Sequence, residues 1–332
     1  MNKWLADHVV CPRDKQSLES QDNDLVCPGG HKYALLDGIP IMLVDDAEST
    51  HGYIDQSLKT VEEFRRTGRS IDSGLPISDG GIDPFVQAEV PYTSGTMYFA
   101  VQNRLPRYPI PETRLGLGRG ERLLDVGCNW GRWTIAAARK GYKPVGLDPS
   151  LKAVFAARRV AAQLGVEADF VVGDARYLPF REDSFDVVFS YGVYQHLSKE
   201  NVRIALAEDR RVLRNGGRVV IQMPNRYGLR QYQQLRRRGF TEGEGFDIRY
   251  WTPSEMMETF RKTFGPTEMS TDCYFGLGIQ GADVDLLPAK YKAVVYSSEI
   301  LRKVSSVIRP LTKLADSVYL ESINKKQSPK VE

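Results

Sequence analysis

The chain has 332 residues, of which 42% are hydrophobic. This is enough for one large domain and a small one, each stabilised by the burial of apolar side chains. Its formal net charge of +3 is too small to indicate nucleic-acid binding by itself. No run approaches the roughly 20 apolar residues of a membrane-spanning helix, and the first residues lack a basic-then-apolar export signal. We therefore expect a cytoplasmic protein.

Residues 1–46 predict a small β-rich module, because the short strand-like runs LVC, YALL and IPIMLV are separated by Pro and Gly turns. Residues 53–66 have the pattern of a helix. The stretch 67–84 is rich in Gly, Ser and Asp, which predicts a flexible connector. We therefore expect residues 47–95 to link two domains.

Two short motifs in the N-terminal module predict a metal site. CPRD separates Cys11 and Asp14 by two residues, and CPGGH separates Cys27 and His31 by three. Two knuckles of this kind commonly assemble a structural tetrahedral zinc site. The alternative is a ribbon without metal, in which the two cysteines are buried thiols. The other two cysteines have no such context, so we expect no disulfide framework.

From about residue 120 onward, short apolar runs typical of strands alternate with segments of helical periodicity. The strand candidates are RLLDVG, KPVGLD, ADFVVGD, FDVVFS and GGRVVIQMP, and the helix candidates are residues 130–140, 150–164 and 198–213. This alternation predicts a doubly wound α/β sheet of parallel strands.

A turn with two glycines follows the first of these strands, in LLDVGCNWGRW. Ligands of open α/β sheets bind beyond the carboxyl ends of the strands, where Asp125 and Gly127 are expected. A dinucleotide-binding loop would read G-x-G-x-x-G, but Asn129 and Arg132 occupy its second and third glycine positions. The departure disfavours a nicotinamide oxidoreductase and indicates an adenosine-containing ligand without a pyrophosphate.

This turn resembles the first motif of the class I S-adenosylmethionine-dependent methyltransferases, in which an acidic strand end precedes G-x-G or G-x-x-x-G. Asp125, Gly127 and Gly131 match that motif. Four further motifs of that family follow in order, namely VGLDPS, VVGDARYLPF, DSFDVVFSYGVYQHL and RVLRNGGRVVIQMPN. The resemblance implies that residues 96–332 form a methyltransferase domain with a seven-stranded Rossmann-like sheet. DSVYLES is suited to the antiparallel seventh strand, and residues 275–315 would be an acceptor-side insertion.

The resemblance implies S-adenosylmethionine as the methyl donor and assigns residues to it. A carboxylate at Asp148 would accept hydrogen bonds from the ribose hydroxyls. Asp174 would accept from the adenine amino group, while the backbone N–H of Ala175 reaches the ring. The complete predicted set is Asp125, Gly127, Cys128, Asn129, Gly131, Asp148, Pro149, Asp174, Ala175 and Tyr191.

The segment YGVYQHL follows the fourth strand and, by the resemblance, lies beside the transferring methyl group. A hydroxyl acceptor needs a base, and His196 is the single histidine of this half of the chain, so it is the candidate base or acceptor-orienting group. The alternative is a histidine that packs at a helix start. Tyr191 and Tyr194 are candidates for lining the site, Tyr191 also for catalysis, and Asn225 is a further acceptor-side candidate.

The expected acceptor is a small molecule, lipid or glycan, methylated at oxygen. No N-P-P-Y or D-P-P-Y run follows the fourth strand, which disfavours methylation of an exocyclic amine or an amide. A different class of function is a protein that binds the methyl donor without catalysing methyl transfer.

An RNA acceptor is the alternative substrate. YALLDGIPIML resembles the zinc-ribbon modules found as activator subunits of tRNA and protein methyltransferases and as N-terminal domains of some rRNA guanine methyltransferases, which carry Cys where this chain has Asp14. The basic segment LRQYQQLRRRG, with Arg230, Arg236, Arg237 and Arg238, adds a candidate RNA contact, and a solvated helix face is its other interpretation.

A last segment, SSEILRKVSSVIRPLTKLA, carries a helical stripe formed by Ile300, Val304, Val307, Ile308 and Leu311. We expect a lid or a core-packing helix, and contact with a membrane surface is the alternative.

Overall fold

The computed structural model describes residues 1–49, 52–68, 81–276 and 280–326. Most of the predicted flexible connector, residues 69–80, lies outside the described residues. The strands in these ranges are β1 (Glu19–Gln21), β2 (Asp24–Val26), β3 (Lys32–Leu36), β4 (Ile39–Met42), β5 (Arg122–Val126), β6 (Lys143–Asp148), β7 (Asp169–Gly173), β8 (Phe185–Tyr191), β9 (Leu213–Pro224), β10 (Thr267–Cys273) and β11 (Ser317–Ile323).

The α-helices of the same ranges alternate with the central strands and also flank them. They are α1 (Lys3–His8), α2 (Tyr53–Thr67), α3 (Pro84–Ser94), α4 (Arg132–Arg139), α5 (Leu151–Gln163), α6 (Lys199–Val212), α7 (Leu229–Arg237), α8 (Pro253–Phe264) and α9 (Ala289–Val307).

The described strands form one sheet in the order β1-β2-β3-β4-β7-β6-β5-β8-β9-β11-β10. Strands β5 to β9 run parallel, and β11 lies antiparallel between β9 and β10. The predicted α/β sheet is therefore present, and DSVYLES forms the antiparallel strand β11. The parallel strands are apolar along their length because both faces of the sheet are covered. For example, Val145 and Leu147 of β6 and Val171 and Val172 of β7 are buried.

The sheet has eleven strands rather than the predicted seven, because β1 to β4 of the N-terminal region join the seven strands β5 to β11. Strand β4 pairs in parallel with β7, with Ile41 opposite Val172 and Met42 opposite Gly173. Without β4, the backbone N–H and C=O groups of β7 would form an unpaired sheet edge. The expectation of a separate ribbon domain at residues 1–46 is accordingly not confirmed.

Helices α2 and α3, in the segment expected to link two domains, pack against α5. The Ser57 hydroxyl of α2 donates to the Pro149 carbonyl at 2.7 Å and accepts from the Leu151 N–H at 2.9 Å. The buried Asp83 carboxylate before α3 pairs with Arg159 of α5 at 2.7 Å. These polar contacts bring both helices over the carboxyl ends of the central strands.

The segment between β10 and β11 contains a 3-10 helix at Gly281–Leu286, then α9, then a 3-10 helix at Arg309–Leu314. The Tyr274 hydroxyl joins it to β10, at 2.6 Å from Ser305 Oγ and 2.8 Å from the Leu311 carbonyl. The prediction that the apolar stripe packs on the core is wrong, because Ile300 and Val307 are exposed. Among the described helices, none has the length and apolar character to span a membrane.

Candidate functional site

A cavity of about 580 Å³ opens beyond the carboxyl ends of β5, β6, β7 and β8. This is the edge at which an open α/β sheet binds its ligand. Helices α2, α3 and α7 contribute further walls. Most of the predicted site residues line it, namely Gly127, Asn129, Asp148, Pro149, Asp174, Ala175, Tyr191 and His196.

The turn after β5 has no side chain at Gly127 and Gly131, because its backbone takes left-handed conformations that favour glycine. We call it the bare turn. Gly127 has φ +78° and Gly131 has φ +81°, while Asn129 between them has φ +47°. A Cβ atom on Gly127 would lie 2.2 Å from Cγ2 of Val193, in the loop after β8. The turn and that loop therefore touch directly, and only a residue without a side chain fits between them.

The Asp148 carboxylate at the end of β6 is the acceptor that joins two turns. Its Oδ2 accepts from the Asn129 N–H at 2.9 Å, and its Oδ1 accepts from the Ser150 N–H at 2.9 Å. Burial raises the pKa of this carboxyl to about 6. Each oxygen accepts one N–H in these contacts and has a second lone pair, so the carboxylate can also accept from hydroxyl groups of a ligand.

Three predicted residues shape the turn from behind the cavity wall. Asp125 is buried and accepts from the Thr134 hydroxyl at 2.6 Å, and burial raises its pKa to about 7. Burial also raises the pKa of the Cys128 thiol well above its ordinary value. A Cβ on Gly131 would lie 3.1 Å from that of Ala157 on α5. These residues fix the packing of the turn on α4 and α5.

Asp174, at the end of β7, is paired with an arginine that sequence reasoning missed. The guanidinium of Arg176 donates to both carboxylate oxygens, the shortest contact being 2.6 Å from Nη2 to Oδ2. Arg176 also donates to the Glu48 carbonyl at 2.6 Å. An arginine two residues after the aspartate is the signal in the sequence, but the pairing depends on burial of both side chains. The pair holds the carboxylate in a fixed position at the cavity wall.

The Tyr191 ring is held by a buried network that includes residues of the last two strands. Its hydroxyl donates to Asp272 Oδ2 at 2.7 Å, and its ring stacks on Trp133 at 4.4 Å. Asp272 also accepts from the Ser317 hydroxyl at 2.9 Å and lies 3.3 Å from Arg114. Burial and the Asp272 charge raise the pKa of Tyr191 well above its ordinary value. The geometry therefore makes Tyr191 a positioning residue rather than a base.

His196 lies in a 3-10 turn after β8 with its ring in a defined orientation. Its Nδ1 is 2.7 Å from the Phe246 carbonyl oxygen, and the two rings stack at 4.0 Å. Because a carbonyl oxygen can only accept, neutral His196 carries its proton on Nδ1 in this contact, which makes Nε2 an acceptor. Nε2 lies 3.1 Å from the side-chain nitrogen of Gln195. This is the tautomer that a general base at Nε2 requires.

Polar groups from β9 and α7 line the cavity near His196. Gln222 accepts from the Gly192 N–H at 2.7 Å through Oε1, and its amide donates to Ser317. Arg230 donates to the Thr96 hydroxyl and to the Phe275 carbonyl, both at 3.2 Å. A glutamine inside the apolar run VVIQMP was a visible signal for Gln222.

The structure separates the members of the predicted arginine cluster. Arg230 faces the cavity, whereas Arg236 and Arg237 are exposed at the far end of α7. Arg238 lies 3.4 Å from Asp247. The four arginines therefore lie in different surroundings, and Arg236 and Arg237 are the two that are exposed.

Two further sequence candidates are structural. The Tyr194 hydroxyl donates to Asp209 at 2.6 Å, and both residues are buried. The Asn225 amide is also buried and donates to the carbonyls of Lys313 and Ala315, each at 2.8 Å. Neither side chain lines the cavity, so the predictions that place them beside a ligand are wrong.

The four predicted metal ligands lie together in the N-terminal part of the sheet. One donor atom from each of Cys11, Asp14, Cys27 and His31 lies within 4.8 Å of all the others. His31 Nδ1 is 3.4 Å from Cys11 Sγ, 3.3 Å from Cys27 Sγ and 3.3 Å from Asp14 Oδ2. A Cβ atom on Gly29 would lie 2.7 Å from Asp14 Oδ2, so glycine permits this close approach.

The spacing of these four atoms fits a tetrahedral metal ion. Zinc bonds of about 2.3 Å to sulfur and about 2.1 Å to nitrogen or oxygen, at tetrahedral angles, put neighbouring ligand atoms roughly 3.4–3.8 Å apart. The Tyr33 hydroxyl lies 3.2 Å from Cys11 Sγ, where it can donate to a thiolate. The donor set and its outer hydrogen bond are therefore compatible with zinc.

Comparison with known proteins assigns part of the chain. Residues 123–217 match a family model described as a methyltransferase domain. A ubiquinone biosynthesis O-methyltransferase of Agrobacterium fabrum is 34% identical over 107 residues, which are 32% of this chain and 42% of the relative. A protein of Mycobacterium tuberculosis named "Probable fatty acid methyltransferase" is 31% identical over 111 residues, which are 33% of this chain and 26% of the relative.

The chain spans half or less of the length of the curated relatives named here and of others at similar identity. Among solved structures, a SAM-dependent methyltransferase of Methanosarcina mazei is 16% identical, with a TM-score of 0.46, over 64% of this chain and 95% of that chain. The matched residues 123–217 include almost all of β5, all of β6, β7 and β8, and the start of β9.

The contact between the bare turn and the loop after β8 makes a testable prediction. Gly127→Ala should lower the free energy of unfolding by about 2 kcal/mol or more, because alanine at positive φ costs roughly 1–2 kcal/mol and its Cβ overlaps Val193. Val193→Ala in the same chain should recover part of the loss, so that the double variant is less destabilised than the sum of the single variants. Urea denaturation of the four proteins measures this coupling, and strictly additive effects would contradict it.

Proposed function

We propose that the protein is an S-adenosylmethionine-dependent methyltransferase that methylates a hydroxyl oxygen of a small molecule or lipid. The observation that carries the proposal is one cavity lined by the Asp148 and Asp174 carboxylates, the bare Gly127 turn and the oriented His196 imidazole. The match of residues 123–217 to a methyltransferase domain supports the donor. The names of the two relatives support a small-molecule or lipid acceptor.

The donor would be held by the ends of the central strands. Asp148 would accept from the ribose hydroxyls with the lone pairs that Asn129 and Ser150 leave available. Asp174, fixed by Arg176, and the Ala175 N–H would contact the adenine. When bound, the sulfonium supplies an activated methyl group. The protein's part is to align the acceptor with that methyl and to exclude water.

The donor contacts predict a pH dependence of binding. Above pH 6 Asp148 is ionised and can accept from two hydroxyls, and below its pKa of about 6 it becomes protonated and loses that capacity. Donor affinity measured by calorimetry should therefore fall as the pH decreases from 7 to 5, approaching about tenfold per pH unit. Asp148→Asn should bind weakly at every pH, with no such fall.

Asp125 is the control for this titration, because its pKa of about 7 lies nearby and its carboxylate faces Thr134 rather than the cavity. Asp125→Asn should retain the fall in donor affinity. If Asp148→Asn binds the donor as tightly as the unmodified protein, the assigned ribose contact is wrong.

His196 would act on the acceptor. With Nδ1–H directed at the Phe246 carbonyl, the Nε2 lone pair accepts from the Gln195 amide in this structure, and the acceptor hydroxyl would take the place of that amide. Nε2 would then take the proton that the hydroxyl loses as its oxygen bonds to the methyl carbon and the bond from that carbon to the donor sulfur breaks, which leaves a neutral thioether. Gln195 and Gln222 are suited to orienting the acceptor, since the first contacts His196 and the second fixes the Gly192 backbone. The buried network at Tyr191 keeps this loop in place.

The test of transfer uses a donor with a labelled methyl group and the lipid and aqueous fractions of a cell extract. The fraction that gains label identifies the acceptor class, and we expect the lipid fraction. His196→Ala should lower turnover on that acceptor by about 10²- to 10⁴-fold while donor affinity stays within about twofold. Unchanged turnover in His196→Ala would remove the proposed base, and donor binding without label in any fraction would remove the proposed activity.

We also propose that the N-terminal cluster binds a structural zinc ion through Cys11, Asp14, Cys27 and His31. The support is the approach of four donor atoms from two knuckles to tetrahedral spacing. The ion would brace the strands that protect β7, and the cluster lies apart from the cavity lining.

Elemental analysis of protein purified without chelator or affinity metal should find about one equivalent of zinc. Cys27→Ser should lose the metal and lower the melting temperature, because a tetrahedral site rarely keeps its affinity without one thiolate. Cys273→Ser, a buried cysteine outside the cluster, is the matched control and should keep its zinc. Less than about a tenth of an equivalent in the unmodified protein would refute the proposal.

A further inference from the structure

Helix α9 turns an apolar stripe toward solvent. Tyr296, Ile300 and Val307 are 56%, 62% and 82% exposed, and their spacing of four and seven residues puts them on one side of the helix. The opposite side is buried and partly polar, since Ser298 accepts from the Tyr274 N–H and Ser305 contacts the Tyr274 hydroxyl. The helix therefore packs on the core through a mixed side that includes the buried Val295, and its second apolar side is left exposed.

The exposed apolar surface continues into neighbouring elements. Ile308 precedes the 3-10 helix that follows α9 and Leu314 is its last residue, and both are exposed. The end of that segment joins the start of α7, because Asn225 donates to the Lys313 carbonyl and Asp316 accepts from the Arg230 N–H. Leu229, near that junction, is 64% exposed. We call the exposed apolar side chains of residues 289–314 the α9 face.

The charges within residues 289–314 are mostly positive. Residues 289–314 contain six basic residues and one acidic residue, Glu299. Glu299 pairs with Arg302 at 2.8 Å and is therefore already neutralised. The exposed basic side chains are Lys290, Lys303, Arg309 and Lys313. An apolar helix face with basic neighbours is suited to a partner that is apolar inside and anionic at its surface.

We propose that the α9 face docks the protein on membranes that contain anionic phospholipids. The apolar side chains would enter the boundary between headgroups and acyl chains, while the lysines and arginines contact the headgroups. A second copy of the chain is disfavoured as the occupant, because a two-fold contact would bring the same basic side chains face to face.

The position of α7 gives this docking a use that rests on the proposed function. Arg230, Gln231 and Gln234 on one side of α7 line the cavity, while Leu229 and Tyr232 on its other side are exposed. The start of α7 is hydrogen-bonded to the segment that ends the α9 face. Docking there would bring the rim of the cavity close to a lipid acceptor in the bilayer. The docking itself does not depend on methyl transfer.

The experiment is flotation of the full chain with two kinds of vesicle. One consists of phosphatidylcholine alone, and the other also contains about 30% phosphatidylglycerol, an anionic lipid. We expect binding to the anionic vesicles that weakens as salt is added. The variant Ile300→Glu with Val307→Glu should reduce the partition coefficient by about tenfold or more. The variant Lys303→Gln with Arg309→Gln should reduce the preference for anionic vesicles by about tenfold.

The matched control is Ile204→Glu, an exposed isoleucine on α6 far in sequence from the α9 face, which should bind vesicles as the unmodified protein does. All variants change exposed side chains, so their melting temperatures and donor binding should be unchanged, and these measurements are independent of vesicle binding. Failure of the unmodified protein to float with anionic vesicles would overturn the proposal. So would a dimer in sedimentation velocity that Ile300→Glu with Val307→Glu dissociates, since the face would then join two copies.

Discussion

The hydrogen bonds of the buried Asp148 carboxylate are the interaction on which the candidate site depends. One oxygen accepts from the turn after β5 and the other from the turn after β6, so a single side chain fixes two neighbouring turns at the sheet edge. Its burial raises its pKa, and the two N–H donors stabilise its charge. The same side chain that orders the two turns is the one to which we assign the ribose contact in the proposed function.

The opposite wall of the cavity depends on strands distant in sequence. Asp272 of β10 and Ser317 of β11 hold Tyr191 and Gln222, which in turn fix the loop that carries Gly192. The antiparallel strand at the end of the chain therefore contributes to the acceptor side without lining it. The segment between β10 and β11 adds the α9 face, so the same sheet carries both the proposed donor site and the proposed membrane contact.

The central sheet could be predicted because its determinants are local. Apolar runs of strand length, helical periodicity between them and a glycine turn after Asp125 are each visible within about ten residues of sequence. The cluster of Cys11, Asp14, Cys27 and His31 could be predicted for a similar reason, since each of the two short motifs contains two of its members. The direction of the α9 stripe was not predictable, because periodicity shows which side chains share a face and not whether a partner covers it.

The sequence by itself determined the order of strands and helices, the donor-side turn and the residues Asp148, Asp174 and His196, since short-range patterns encode them. Tertiary structure alone decided that β4 extends the sheet, that Tyr191 is bound to Asp272 and that Arg176 fixes Asp174. It also separated Arg230 from the other arginines of its segment. These features arise from contacts between residues far apart in the chain, and one sequence carries no periodic or local signal for such pairs.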